Sequence, residues 1–535
     1  MPAEPDEASH SAPSSAHKAS LRSLLRLWAL ATLILFTLVG VWSLSTPIGS
    51  VGDEPSHIVK AAGTLRGQLL GTDVASNPNP ALRQYELPAP FAALTRPCYS
   101  KRLSIPAGCA PPLTTSTKTV PALSYVARYP PAYYALVGLP TLFGSSLWTM
   151  YFMRLVSALA SSVMLGLAFA VAATWSRSRL LTVGIALAST PLVIYYASVV
   201  NPNGLEIAAS IGAWTCLLVA STMDDAPPNA LLACAAGSLA VLEVTRTLSV
   251  FWAVLAVLTA VALAPQRWRA LWRRVWLRWA ALGLGLVAVL SVTWVVLAKS
   301  TETAAGKPYP SHLSHLSVLA FDLGRFGGAH GYLQQLIGVT GWLELPTPAV
   351  TDAFWIAGAG GLWLLGLALG RRLEIAVFLL VPVFMVVFPI ALNVDHDHDL
   401  GFIWQARDGM PLFVAVPILA SLVVSRRTQL DRSRFPLVVA SCTALGLAAA
   451  SFVVIRRYTV GLAGTINPFA HVARGWSTPI PLLLLFAIEL VALVAYVALI
   501  ASGGQLLGGR GRHRGVATTS RETPAEPALQ AEGAH

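Results

Sequence analysis

The stretch "LLRLWALATLILFTLVGVWSLSTPIGSVGDEPSHIVKA" (Leu24 to Ala61) carries both the fold and the chemistry of this chain. Its first part, Leu24 to Leu44, is an apolar run long enough to cross the ~30 Å hydrocarbon layer of a bilayer as a helix. Its second part places two adjacent carboxylates, Asp53 and Glu54, where the chain leaves hydrocarbon for water. His57 follows one helical turn later, at the spacing that lets it share a face with them. Arg22 and Arg26 precede the run in the manner of a secretory signal. The run is too long for one, however, and no small-residue cleavage site lies before Thr46. It reads as an uncleaved first helix with its N-terminus in the cytoplasm.

The rest of the chain agrees. Hydrophobic residues make up 55% of the 535, charged residues only 12%, and the mean hydropathy is +0.63, outside the range of soluble domains. Strand-like alternation is absent, so the backbone must satisfy its polar groups within helices. Apolar segments at roughly 24–44, 148–174, 179–200, 204–222, 229–245, 248–264, 278–298, 352–369, 374–392, 410–425, 435–455 and 479–501 give an all-α, polytopic bundle of about twelve helices. The net charge of +12 does not point to nucleic acid. Its arginines cluster in connections that this count places on one side: Arg177/Arg179, "QRWRALWRRVWLR" (Gln266 to Arg278), Arg371/Arg372, "RRTQLDRSR" (Arg426 to Arg434) and the tail "GRGRHRG". A miscount by one helix would scatter them, so the positive-inside rule supports both the count and cytoplasmic termini. Residues 1–20 and 506–535 are polar and read as disordered, flanking a bundle over 21–505.

Three long connections then lie outside, at about 45–147, 299–351 and 393–409. Loops of such length within a compact bundle are usually folded or functional. The segment Tyr133 to Phe143 is apolar but too short to cross and is punctuated by Pro140, so it reads as interfacial. Cys98 and Cys109 share the first loop, on the side where disulfides form, and are candidates for a bridge or for two free thiols. Cys216, Cys234 and Cys442 fall within apolar helices as small hydrophobes.

Chemistry gathers at the outer helix ends. Asp53 or Glu54 can serve as a general base or as the ligand of a divalent cation; the alternative is an N-terminal cap for the helix that follows. In "WQARDGMP" (Trp404 to Pro411), Arg407 presents a planar fork of donors suited to a phosphate and Gln405 adds a neutral hydrogen bond. A pairing of Arg407 with Asp408 is the competing reading. Arg154 lies near the outer end of the second helix. Arg246 follows Glu243 at a spacing that suits a salt bridge, and "NPNGLE" (Asn201 to Glu206) opens another helix. The run "DHDHD" (Asp395 to Asp399) looks metal-like, although hard-cation sites rarely use two His.

The elements "GDEPSHIVKA", "YPPAYYALVGLP" (Tyr129 to Pro140), "YFMRLVSAL" (Tyr151 to Leu159), "NPNGLEIAA" and "WQARDGMPL" occur in that order. Together they resemble the bacterial membrane-protein family called domain of unknown function 2142, over about residues 25 to 500. One departure is Asp408, which stands where the family pattern has Tyr. The family is similar in turn to the GT-C superfamily of polytopic glycosyltransferases, which carry an acidic motif just after the first helix. That resemblance implies an enzyme of the cell membrane, with its active site outside, that moves a sugar from a polyprenyl-phosphate carrier to a glycan, lipid or protein acceptor, with inversion. It makes Asp53 or Glu54 the catalytic base or metal-binding acid. It makes His57, Arg154, Arg246, Gln405 and Arg407 the substrate- and phosphate-binding set. Membrane lipids would be its other partners and a divalent cation its only candidate cofactor. Alanine at either acid is then expected to stop transfer but spare expression. The rival reading is a transporter or flippase of a lipid-linked or envelope precursor, whose site would lie at the bilayer midplane between matched halves. Here the halves differ strongly in loop length.

Overall fold

The computed structural model describes residues 15–74, 81–301, 314–328, 330–400, 404–473 and 475–503, with backbone only for 15–20 and 395–400. The first fourteen residues, the tail from 504 and the side chains of the "DHDHD" run lie outside that description.

Helix α1 (Ser15–Leu44) begins within the stretch expected to be disordered and runs straight through the first apolar segment. The loop after it is a folded layer. It contains α2 (Glu54–Thr64), a three-stranded antiparallel sheet of β1 (Thr72–Asp73), β2 (Arg83–Pro88) and β3 (Thr119–Ser124), then α3 (Ala89–Ala92) and α4 (Pro131–Gly138). Tyr85 and Leu87 of β2 register with Ala122 and Val120 of β3. Tyr85, Leu87 and Ala122 join Ile58, Tyr134 and Met153 in a second apolar core set on the end of the bundle. The chain is predominantly helical, as expected, with this small sheet in the loop after α1. At eight residues, α4 is too short to cross.

The bundle proper comprises α5 (Leu147–Val171), α6 (Arg179–Ala188), α7 (Pro191–Ala197), α8 (Pro202–Thr222), α9 (Asn229–Glu243), α10 (Ser249–Leu263), α11 (Pro265–Leu271) and α12 (Val275–Leu297). After a connection holding α13 (His315–Gly327), α14 (Tyr332–Ile337) and the hairpin β4 (Val339–Thr340) and β5 (Leu345–Pro346), it continues with α15 (Ala349–Leu369), α16 (Arg372–Leu400), α17 (Ala406–Phe413), α18 (Ala415–Arg427), α19 (Phe435–Thr459) and α20 (Leu482–Ser502). Among the described residues nine helices are long and apolar enough to cross a membrane. The count reaches eleven if two bent pairs, α6–α7 (66°) and α10–α11 (106°), each make one span. Both bends fall at a proline, Pro191 and Pro265, at the first position of the second helix, where its missing N–H is tolerated. The remaining expected segment, at 229–245, is α9, which has only 15 residues.

Helix α8 is the axis of the molecule. Its whole apolar window is buried, whereas that of α12 is 6% buried and faces outward. Small residues let neighbours close on one another. A Cβ on Gly166 of α5 would sit 2.5 Å from Thr32 Oγ1 and 2.8 Å from its backbone nitrogen on α1. Helix α16 runs to Leu400, so most of the loop expected at 393–409 is helix, and α17 begins at Ala406.

Candidate active site

Asp53 occupies the N-cap position of α2 but its side chain makes no capping bond, which removes the capping role. Its backbone is left-handed, at φ 71°, a region that costs a non-glycine residue about 1 kcal/mol or more and that Asp and Asn tolerate best. The turn points its carboxylate across the end of the bundle. Asp53 Oδ2 accepts from Arg407 Nη2 at 2.5 Å, and Oδ1 accepts from the Tyr125 hydroxyl at 2.6 Å. The guanidinium of Arg407 also donates to the Tyr196 hydroxyl at 2.7 Å and lies over that ring, 5.1 Å from its centroid. Asp53 keeps 27% of its side chain exposed and Arg407 12%. Burial by itself would raise the Asp53 carboxyl. The charge of Arg407, with the two hydrogen bonds, overrides it and holds the group at about 2.

Glu54, the next residue, has a different role. It is fully buried and grips Arg154 with both oxygens, Oε1 to Nε and Oε2 to Nη2, each at 2.6 Å. The same carboxylate accepts from the Gly49 and Val200 amides. Arg154, also fully buried, donates further to the carbonyls of Ser43, Thr46 and Pro47. Neither residue presents an atom to a substrate. The expectations of Glu54 as a catalytic or metal-binding acid and of Arg154 as a phosphate ligand are therefore corrected: the pair pins the turn after α1 to α5. Neighbouring acids on a helix diverge by about 100°, and here one faces inward and one outward.

A second cation lies close by. Arg246, in the turn between α9 and α10, bonds Glu206 Oε2 and Asp408 Oδ1, each at 3.0 Å, and lies over the Tyr129 ring. Its expected partner Glu243 takes no part, and Glu243 Oε2 has no partner among the described residues. Asp408 also accepts from the Gln405 amide at the start of α17. Asp408 thus orients Arg246, and the Arg407–Asp408 pairing does not form. Gln405 Oε1, Arg407 Nε and Arg246 Nε are buried and unpartnered among the described residues, so each guanidinium keeps a free donor.

His57 is buried behind Asp53, its Nδ1 sharing a 2.8 Å hydrogen bond with Tyr134, on which it stacks. Burial lowers its pKa; Asp53 opposes this, but Arg407 and Arg246 reinforce it, leaving about 3. The ring is neutral and, stacked on Tyr134 beside Asp53, supports the wall of the site. One turn on, Lys60 is buried with its ammonium on the carbonyls of Leu69 and Ala127, and burial lowers it to about 7.

The turn that carries Asp53 is held from all sides. Trp342, at the tip of the β4–β5 hairpin, donates to the Gly49 carbonyl at 3.2 Å, and its ring covers Gly52. The Tyr458 hydroxyl donates to the Ser50 carbonyl. Cys98 and Cys109 are joined in a disulfide. Tyr129 and Glu206 belong to motifs that the sequence marks, whereas Tyr125, Tyr196 and Trp342 carry no sequence signal for this site. Each of these three is one aromatic among many until the fold brings them together.

Among the described residues no group of three or more His, Cys, Asp or Glu comes together to hold a metal ion. Asp53 is the one acid of the original pair with a carboxylate facing outward. Its two oxygens are taken by Tyr125 and Arg407.

No curated protein matches the chain. It is similar to crystal structures of ArnT from Cupriavidus metallidurans. The form bound to undecaprenyl phosphate is 14% identical, with 93% of this chain and 77% of that one covered and a TM-score of 0.39. The apo form is likewise 14% identical, covering 92% and 77%, with a TM-score of 0.42. The family model described as "Predicted membrane protein (DUF2142)" matches residues 36–416, more than half of the sequence and every site residue named above except those on α19; the chain belongs to that family.

Proposed function

We propose that the chain is a GT-C-like membrane glycosyltransferase, which moves a sugar from a polyprenyl-phosphate carrier to a cell-envelope acceptor at the external face. The observation that carries this reading is the part-exposed carboxylate of Asp53 set against the guanidinium of Arg407 at one end of an apolar bundle. In the proposed reaction the acceptor hydroxyl attacks the anomeric carbon and Asp53 takes its proton. The bond from that carbon to the carrier phosphate breaks, and its electron pair leaves on the phosphate. Arg407 and Arg246 stabilise the charge that develops there through their part-exposed guanidiniums. A single displacement of this kind inverts the anomeric centre. A bound divalent cation would add a Lewis acid at the phosphate, and Asp53 would then be its ligand in place of acting as the base.

Two features suit a lipid-borne donor. An apolar groove of about 600 Å³, lined by Leu333, Trp355, Ile356, Pro382, Phe413 and Val416, opens beside α17. Phe413 lies about 9 Å along the helix from Arg407 by its rise per residue, so an isoprenoid tail in the groove can reach the cations with its phosphate. The basic connections meet at the other end of the bundle: Arg267 donates to the carbonyls of Ala220 and Asp225, Arg426 pairs with Asp224, and Arg427 with Glu374. The positive-inside rule supports a cytoplasmic placement of that end and an external one for Asp53.

The test is transfer by membranes offered a panel of radiolabelled polyprenyl-phosphate sugars, with and without chelator. Wild type is expected to pass label from one carrier to an acceptor, and Asp53→Asn to lose this by a factor of 10² or more, about the share of one general base. Undiminished transfer in the variant removes the catalytic reading of Asp53. Label that crosses the bilayer still attached to its carrier would instead make the protein a flippase.

A further inference from the structure

At the end of the bundle opposite Asp53, helices α9, α10 and α12 leave a groove between them. Helix α10 starts at Ser249, which hydrogen-bonds Glu206 in the candidate active site. Its 15 residues carry the chain about 22 Å away. There the chain bends by 106° into α11, whose Trp268 and Arg269 line the groove. The groove has a volume of about 460 Å³, and its walls are apolar, from Leu232 and Leu239 on one side to Ala281 and Leu284 on the other.

The mouth differs in character from the walls. Residues 267–278 hold five arginines and no acid. Arg267 and Arg274 are engaged in tying α11 to the preceding connection, through the carbonyls of Ala220 and Pro227 and the Asn229 side chain. Arg269 lines the groove and Arg273 follows Trp272, which also lines it; both arginines are exposed, and their side chains make no hydrogen bond or ion pair among the described residues. Neither acid of the connection before α9 pairs with them: Asp224 pairs with Arg426, and Asp225 is exposed. Trp268 is fixed by a 3.0 Å bond to Ser221, and Trp272 is 53% exposed beside it. Tryptophan and arginine at the end of an apolar slot are the anchors of a water–lipid boundary.

We propose that this groove is a binding site for an anionic phospholipid, with an acyl chain along its apolar walls and the headgroup phosphate on Arg269 and Arg273. The charge argument selects this occupant. A second copy of the chain would bring its own arginines against the same surface. A zwitterionic lipid would leave two guanidiniums without a net countercharge. The site is independent of the reaction proposed for Asp53.

The full-length protein in nanodiscs of phosphatidylcholine with phosphatidylglycerol, ejected for native mass spectrometry, tests this. Wild type is expected to retain phosphatidylglycerol in preference to phosphatidylcholine. The double variant R269A/R273A should lose about 30-fold of that preference, at about 1 kcal/mol for each arginine at an anionic surface. A281W, which fills the groove without changing charge, should lose retention too. R372A, which removes an exposed arginine of another connection at the same end, should keep it. Equal retention of the two lipids, an unchanged double variant, or an equal loss in R372A would overturn the proposal. So would a groove-dependent dimer that carries no lipid.

Discussion

Asp53 and Arg407 neutralise each other in this structure, and that has a consequence for any anionic ligand. Around the site Asp53, Asp408 and Glu206 face only Arg407 and Arg246, so there is no unbalanced cation to receive a phosphate. A phosphate reaches Arg407 most readily if Asp53 lets go. The carboxylate, held at about 2 while paired, then becomes a stronger base as its partner is taken. Binding of the donor and activation of the base would be one event. Asp53→Asn keeps the left-handed turn, since Asn accepts that conformation as readily as Asp, and removes the competing charge. It should therefore bind polyprenyl phosphate more tightly than wild type while losing transfer. The gain expected is about 5-fold, the worth of a partly exposed ion pair of about 1 kcal/mol, read by titrating the variant in detergent with the sugar-free carrier. Weaker binding would mean that Asp53 helps to hold the phosphate or its metal. The sequence put forward Asp53, Arg407 and Arg246 because each is a charge at a helix end. It could not separate Asp53 from Glu54, which share every local feature and differ only in which side of one turn is packed against Arg154.

At the scale of elements, the buried Glu54–Arg154 pair is the joint between α1, α2 and α5. Breaking a buried pair by removing one partner typically costs 3–5 kcal/mol, because the other charge is left without compensation. Arg154→Met should thus lower thermal stability in detergent far more than Asp53→Asn, and Glu54→Gln should lie between them, since an amide still accepts one hydrogen bond from the guanidinium. Similar melting temperatures for all three would show that the joint is not what holds the turn. The apolar helices themselves were legible, since hydrocarbon length and charge are written directly in composition. The breaks in them were not. The run 179–200 reads as continuous because Ser189, Thr190 and Pro191 hardly interrupt its hydropathy, yet the chain turns there by 66°. The sheet was hidden for another reason. Strand β3 contains Pro121, which argues against a strand, and β2 has only Tyr85 and Leu87 to mark its buried face. Both depend on α2 being in place to cover them.

Across the whole molecule, the end of the bundle that carries Asp53 is braced by parts distant in sequence. Arg457, fully buried on α19, donates to the carbonyls of Tyr99 and Ile105, both inside the loop closed by Cys98 and Cys109. It also pairs with Glu344, which sits in the β4–β5 hairpin with Trp342, and Trp342 in turn covers Gly52 beside Asp53. The disulfide loop, α19 and the hairpin are therefore one support for the turn. In such a support the effects of two changes should not add. Losing the disulfide (Cys98→Ser with Cys109→Ser) is expected to cost about 2–4 kcal/mol, and Arg457→Met about 3–5 kcal/mol, because Glu344 would be left buried and unpaired. Once the loop is untied, Arg457 has already lost two well-placed carbonyl acceptors, so the combined variant should lose at least about 1 kcal/mol less than the sum of its parts. Chemical denaturation of the four proteins in one detergent closes the cycle. Strict additivity would show that the loop and the helix stabilise the protein separately, and that no strain passes from the disulfide to the turn at Asp53.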